Sequence, residues 1–272
     1  MLPGLRETVE KHGLLASKAL GQNFLLDRNI TDKIIRLSLN RQRLSSFAGS
    51  NVCEIGPGPG GLTRAVLEAA PASLTVIEMD PRCIAIMEEL KEQTNVPFRI
   101  VNGDALTFDL SREIEAPRQL VSNLPYNVSP LLTGWLKQAG SYRAMTLMFQ
   151  KEVAERITAP TRCKDYGRLS VLAQLTCDVA KLLELPPECF TPAPKIRSTV
   201  LLFTPKTEIP AAETLAKVEK ITSLAFGQRR KMLRQSLKAM PGLLDKCRDL
   251  GIEPTARAEE LPPEAFLRLA EN

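Results

Sequence analysis

Short apolar runs and longer amphipathic stretches take turns along the first two thirds of this chain. Runs at Asn51–Ile55, Leu74–Glu78, Phe98–Val101 and Gln119–Ser122 predict buried strands, each followed by turn residues. Helical spacing predicts helices near 62–70 and 81–92, the second with Pro81 at a favourable first position. A helix at about 129–138, a strand at 144–149 and helices at 151–158 and 168–177 continue the alternation. Alternation of this kind predicts a parallel sheet with helices on both faces. Strands near 179–185 and 196–203 lack a comparable helix between them, which predicts an antiparallel edge pair. After Thr204-Pro205 only helical spacing remains, at roughly 211–226, 229–239, 242–249 and 263–270. The expected division is an α/β domain over 1–206, with 1–20 a flexible N-terminal extension, and a small all-helical domain over 207–272.

Composition narrows the classes. The 272 residues are 44% hydrophobic with a net charge of +5, which excludes a disordered chain. No stretch approaches the roughly 20 apolar residues of a membrane span. The first twenty residues lack an apolar signal region and carry Glu7 and Glu10, so a cytoplasmic protein is expected. Six cysteines form no CxxC pair, and His12 is the single histidine. Zinc sites and histidine-based nucleophilic catalysis therefore drop out of the reading, and no metal is expected.

Gly56-Pro57-Gly58-Pro59-Gly60-Gly61 follows a strand and opens a helix, and Gly56, Gly58 and Gly61 satisfy G-x-G-x-x-G. Glu78 ends the next strand, where a carboxylate can accept from both ribose hydroxyls. Pro57 and Pro59 remove N–H donors that a pyrophosphate would need, which disfavours a dehydrogenase. S-adenosylmethionine, with ribose and adenine but no phosphate, fits the loop better. Asp104, in Gly103-Asp104-Ala105, is placed to accept from an adenine amine; a turn cap is its ordinary use. Glu54 can hold the loop or reach the cofactor's ammonium through water.

Asn123-Leu124-Pro125-Tyr126 ends the fourth strand of that series, on the edge where open α/β sheets bind ligands. An exocyclic amine on a base is a poor nucleophile because its lone pair is delocalised. Its methylation needs acceptors for both amine hydrogens and a face on which the base stacks. Asn123 Oδ1 and the Leu124 carbonyl supply acceptors, Pro125 stiffens the turn, and Tyr126 offers a π-face.

Five motifs now stand in order: Leu20-Gly21-Gln22-Asn23-Phe24-Leu25, Glu54-Ile55-Gly56-Pro57-Gly58, Val76-Ile77-Glu78-Met79-Asp80, Asn123-Leu124-Pro125-Tyr126 and Phe190-Thr191-Pro192-Ala193-Pro194-Lys195. Together they resemble the ribosomal RNA adenine N6-dimethyltransferases of the KsgA type, from about Lys18 to the C-terminus. The resemblance implies a Rossmann-like class I methyltransferase domain using S-adenosylmethionine. Its substrate would be two adjacent adenines near the 3′ end of 16S rRNA, each taking two methyls during small-subunit assembly. Asn23 and Leu25 would close over the cofactor, Gly56 and Gly58 would form its loop, and Glu78 and Asp104 would bind ribose and adenine. Asn123 would sit between cofactor and target, and Tyr126 and Phe190 would sandwich the target adenine once it is splayed out. The run Ser129-Pro130-Leu131-Leu132 departs from the family pattern by one small residue, so a different turn is expected after Val128.

Charge is uneven. Residues 217–238 hold seven Lys or Arg against Glu219 alone, a net +6, while 239–272 hold four against seven, a net −3. Helical spacing across 229–239 places Leu233 and Leu237 on one face and Arg230 and Arg234 on another. With adenine chemistry at the strand ends, Arg229, Arg230, Lys231 and Arg234 are expected to touch RNA phosphates, together with Lys18, Arg41 and Arg43. A monomer is the default. The rival readings are a 23S rRNA methyltransferase of the erythromycin-resistance type and a nucleic-acid-binding assembly or transcription factor. A dehydrogenase stands last.

Overall fold

A computed structural model describes residues 4–14, 23–124 and 129–271. In chain order its elements are α1 (Leu5–Lys11), β1 (Phe24–Leu25), α2 (Arg28–Gln42), β2 (Asn51–Ile55), α3 (Gly61–Glu68), β3 (Ser73–Glu78), α4 (Pro81–Lys91), β4 (Phe98–Asn102), α5 (Leu110–Glu113), β5 (Arg118–Asn123) and α6 (Ser129–Lys137). There follow β6 (Tyr142–Gln150), α7 (Lys151–Thr158), α8 (Arg168–Thr176), β7 (Cys177–Leu185), β8 (Phe190–Thr191), β9 (Ser198–Pro205), α9 (Ala212–Gly227), α10 (Leu233–Ser236), α11 (Pro241–Asp249) and α12 (Pro263–Ala270).

The near-continuous apolar strands are the signature of a sheet buried on both faces, and they build a seven-stranded sheet in the order β4-β3-β2-β5-β6-β9-β7. The β2–β3, β2–β5, β3–β4 and β5–β6 pairs are parallel. β9 runs antiparallel to β6 and lies between β6 and β7. With β7 it makes the pair of strands at that edge of the sheet, where the sequence suggested them. Register aligns the carboxyl ends: Ile55 lies beside Ile77 and Ser122, Glu78 beside Asn102, and Asn123 beside Met148. Reversal of strand order at β2 and β5 opens a crevice there, the place where doubly wound sheets bind ligands.

Local chemistry fixes several helix starts. Asp80 caps α4 by accepting from Arg82 N at 3.0 Å, ahead of Pro81. Asp27 caps α2 by accepting from Asn29 N at 2.9 Å. Residues 5–11 correct the expectation of a flexible extension over 1–20. They form α1, whose Val9 is buried with Leu14 in the same core as β2, β3 and α4. Thr8 Oγ1 accepts from the buried Arg64 guanidinium at 3.3 Å, and Lys11 and His12 pair with Glu89. Residues 15–20, including Lys18, lie outside the described residues.

By packing, the chain divides into two compact units: residues 1–131, 141–151 and 180–204, and residues 132–140, 152–179 and 205–272. The second unit thus takes segments from upstream of the expected boundary at 206. Its core gathers Tyr166, Val171, Val218, Ile221, Leu233, Leu237 and Phe266. Tyr166 and Phe226 meet edge to face, and the buried Tyr166 hydroxyl donates to Leu261 O at 2.9 Å.

The helix expected over 229–239 is not continuous. Residues 228–230 form a turn, Lys231 a bend, Met232 makes an isolated bridge with Arg257, and only Leu233–Ser236 is helical. Leu233 N and Arg234 N donate to Ala256 O and Pro254 O, both at 2.9 Å. A continuous helix would need those donors for its own ladder, so long-range pairing overrides the helical spacing. Arg230 precedes the helix and does not share a helical face with Arg234.

Candidate active site

The first unit holds a cavity of about 690 Å³, within the size range of small-molecule sites. Asn23, Leu25, Gly56, Gly58, Glu78, Asp104, Asn123, Leu124 and Phe190 all line it. Residues from six separate stretches of sequence converge there, four at or following the ends of β2, β3, β4 and β5, which stand in register, and two on β1 and β8, which pair with each other. Pro125 and Tyr126, with the rest of the segment through Val128, lie outside the described residues.

The glycine loop is shaped from both sides. Gly56, Gly58 and Gly60 have φ of +64°, +54° and +84°, a region costly for any residue with a Cβ. Gly56 N donates to Ile77 O at 2.9 Å and Gly58 N to Glu78 Oε2 at 3.2 Å. Close approach adds a second demand, since a Cβ on Gly58 would meet the Phe24 ring at 3.1 Å and one on Gly61 would meet Leu25 O at 2.4 Å. So β1 lies directly on the loop. It pairs antiparallel with β8, Leu25 opposite Phe190, a ribbon that local sequence pattern did not reveal.

Glu78 is held as a fixed acceptor: Oε1 takes Met79 N and Asp80 N at 2.8 and 2.9 Å, and Oε2 takes Gly58 N. Asp104 Oδ1 accepts from Leu106 N at 2.9 Å, so its turn-capping use is present while it lines the cavity. Glu54 is 1% exposed, and its Oε2 has no hydrogen-bond partner. Burial pushes the Glu54 carboxyl up to about 8, opposed by a Thr63 hydrogen bond and reinforced by the Glu78 charge. Ser122 Oγ donates to Ile55 O at 2.6 Å, tying the end of β5 to the glycine loop. Asn123 Nδ2 donates to Asn23 O at 3.2 Å.

Set against known proteins, residues 13–272 match the family described as ribosomal RNA adenine dimethylase. The chain belongs to that family. The "Ribosomal RNA small subunit methyltransferase A" of Paramagnetospirillum magneticum is 47% identical over 270 residues, 99% of this chain and 94% of that protein. The protein of the same name from Rhodospirillum rubrum is 46% identical, over 99% of this chain and 92% of its own. Among solved structures, a dimethyladenosine transferase from Plasmodium falciparum superposes with a TM-score of 0.73 at 25% identity, covering 89% of this chain and 94% of that one. The 23S rRNA methyltransferase ErmE gives 0.64 at 25% identity, covering 91% and 98%. This adenine dimethylase is a class I, S-adenosylmethionine-dependent rRNA methyltransferase.

The residues present fit that cofactor. An orphaned buried carboxyl oxygen at Glu54 has no partner in the protein itself, and a cationic ligand group would supply one. A Cβ on Gly56 would enter open space, so the glycine leaves room beside the loop. Sequence reasoning passed over Phe24, Met79 and Met148, which also line the cavity. Met79 follows the strand-end carboxylate Glu78 directly and is 65% exposed, so its place beside Glu78 was the available sequence signal. Phe24 and Met148 carry no such signal and depend on the ribbon and the β5–β6 register.

Of the basic residues expected at RNA, Arg41 and Arg43 lie exposed in the first unit, while the segment over 229–234 lies in the second and divides. Arg230, Lys231 and Arg234 are exposed. Arg229 instead pairs with Glu259 at 2.9 Å and donates to Tyr166 O and Cys163 O, each at 2.9 Å. Among the described residues no helix is long and apolar enough to cross a membrane, and no cluster of three or more His, Cys, Asp or Glu could hold a metal ion.

Proposed function

We propose that this adenine dimethylase methylates N6 of two adjacent adenines near the 3′ end of 16S rRNA, twice each, during assembly of the small subunit. It works in the cytoplasm as a monomer, without a metal. The observation that carries this reading is the convergence of Asn123, Glu78, Gly56 and Phe190 on one cavity, in a chain nearly half identical to proteins named for the small subunit.

When bound, S-adenosylmethionine supplies a methyl group already activated by its sulfonium. Glu78 accepts from the ribose hydroxyls, Asp104 from the adenine amine, and Glu54 balances the cofactor's positive end. Asn23, Leu25, Gly56 and Gly58 enclose it. Asn123 Oδ1 and the Leu124 carbonyl accept the target amine's hydrogens and favour a pyramidal nitrogen, with Pro125 stiffening the turn. Tyr126 and Phe190 stack on the flipped base. The helical tail over 207–272 binds RNA through Arg230, Lys231 and Arg234, whose exposure leaves them open to phosphates.

The test is transfer of labelled methyl groups to purified small and large subunits lacking the modification, read by nucleoside mass spectrometry. N6,N6-dimethyladenosine in the small subunit alone is the expected result. Labelling of the large subunit would move the chain to the 23S specificity, and labelling of neither would favour a binding factor.

A further inference from the structure

We propose that the backbone carbonyl of Asn23, held by the β1–β8 ribbon, is a positioning group that fixes which end of the Asn123 amide faces the target amine. The inference rests on the reading of Asn123 as an amine acceptor, and adds a reason why that acceptor is always presented.

An asparagine side chain has a donor end and an acceptor end of nearly equal size, and rotation by half a turn exchanges them. With the donor end forward, Asn123 would oppose its N–H groups to those of an adenine amine, and transfer would fail. A backbone carbonyl only accepts. The contact of 3.2 Å between Asn123 and Asn23 O therefore requires Nδ2 on that side and leaves Oδ1 for the other. Nothing local to β5 imposes this, because Asn23 is a hundred residues away in sequence.

Three features hold Asn23 O in place. Leu25 pairs with Phe190 and Phe24 with Thr191, so the residues following Asn23 are tied to a second strand. On the opposite side, β1 approaches until a Cβ on Gly61 would meet Leu25 O at 2.4 Å and one on Gly58 would crowd the Phe24 ring at 3.1 Å. At its far end the segment runs into the capped start of α2 at Asp27. The ribbon also places Phe190 opposite Leu25, two residues along from Asn23, so the base-stacking ring and the acceptor are oriented by one element.

Asn123→Asp separates this idea from a plain acceptor role. The variant keeps Oδ1 and gains a second acceptor, so an acceptor-only account expects it to work at neutral pH. Here its carboxylate faces the Asn23 carbonyl, oxygen against oxygen, and protonation restores a donor with the shape of the original amide. Glu54, Glu78, Asp80, Arg82 and Asp104 line the same cavity in both proteins, so the readout is the ratio of variant to wild type at each pH.

The expected ratio is down by roughly 100-fold at pH 8, the scale of losing one preorganised hydrogen bond at a reacting centre. It should rise toward pH 5.5 in kcat, with KM for RNA unchanged. A second measurement needs no activity. In the free wild-type protein, one Asn123 side-chain amide proton should exchange slowly and show coupling through the hydrogen bond to the Asn23 carbonyl carbon. A flat ratio across pH, an Asp variant as active as wild type at pH 8, or two freely exchanging amide protons would each overturn the proposal. Failure of wild-type transfer with a protected amide would instead sink the acceptor reading and leave the geometry standing.

Discussion

The cofactor cavity and the basic segment over 228–238 were both read from residues close together in sequence, yet they behave differently once folded. At the cavity, each motif sits at the end of a strand whose register is set by the sheet, so position in the chain translates directly into position in space. In the basic segment no ladder imposes a position. Tertiary packing decides each arginine separately, and Arg229 finds three acceptors 30 to 66 residues away in sequence while Arg230 and Arg234 are exposed. Regular structure makes chemistry legible from sequence, whereas charge density alone does not separate binding residues from braces.

The largest effect that sharpens this contrast is expected for Asn123→Ala. Methyl transfer should fall by roughly 100- to 1,000-fold while the melting temperature hardly moves, measured by labelled transfer and calorimetry. Gly61→Ala should come next, because its Cβ would meet Leu25 O at 2.4 Å. About 1–3 kcal/mol of stability should be lost as β1 is displaced, and cofactor affinity with it, read by denaturant melts and titration calorimetry.

Arg229→Ala should cost about 2 kcal/mol of stability by freeing the Glu259 carboxylate and two carbonyls. Arg230→Ala, Lys231→Ala and Arg234→Ala should each leave the melt unchanged. In filter binding across salt, each should reduce the slope of log affinity against log salt by roughly 0.7–0.9. If Arg229→Ala altered that slope without altering the melt, the distinction between brace and contact would be wrong.

A pH dependence of stability completes the comparison. Glu54 lies at about 8 in the folded protein against 4.5 for the free group, so the folded state holds a proton that the unfolded state has lost between those values. Stability therefore falls as pH rises from about 4.5 to about 8. Glu54→Gln should flatten that decline, which melts at pH 5.5 and pH 8 would detect.

Much of the fold could be read in advance for the same reason the cavity could. β2, α7 and α12 carry unbroken local patterns and occur as expected, at Asn51–Ile55, Lys151–Thr158 and Pro263–Ala270. What escaped was set by distant partners. The β1–β8 ribbon joins two-residue strands more than 160 positions apart, too short to leave a period. The helix over 229–239 was broken by carbonyls at 254 and 256 taking its backbone donors. α1 escaped because its burial depends on docking by Val9 and Leu14 rather than on a long amphipathic pattern. At the site, the strand-end residues were visible from spacing, while Phe24 and the carbonyl of Asn23 needed the ribbon to be seen.

The most direct test of this division of labour is a paired assay on Asn123→Ala and on the triple variant Arg230→Ala/Lys231→Ala/Arg234→Ala. Methyl transfer and small-subunit RNA binding would be measured on the same preparations. The account predicts a crossing: Asn123→Ala binds RNA nearly as wild type but transfers roughly 100- to 1,000-fold more slowly, while the triple variant loses affinity and recovers transfer at saturating RNA. Equal loss of binding and transfer in both variants would contradict it.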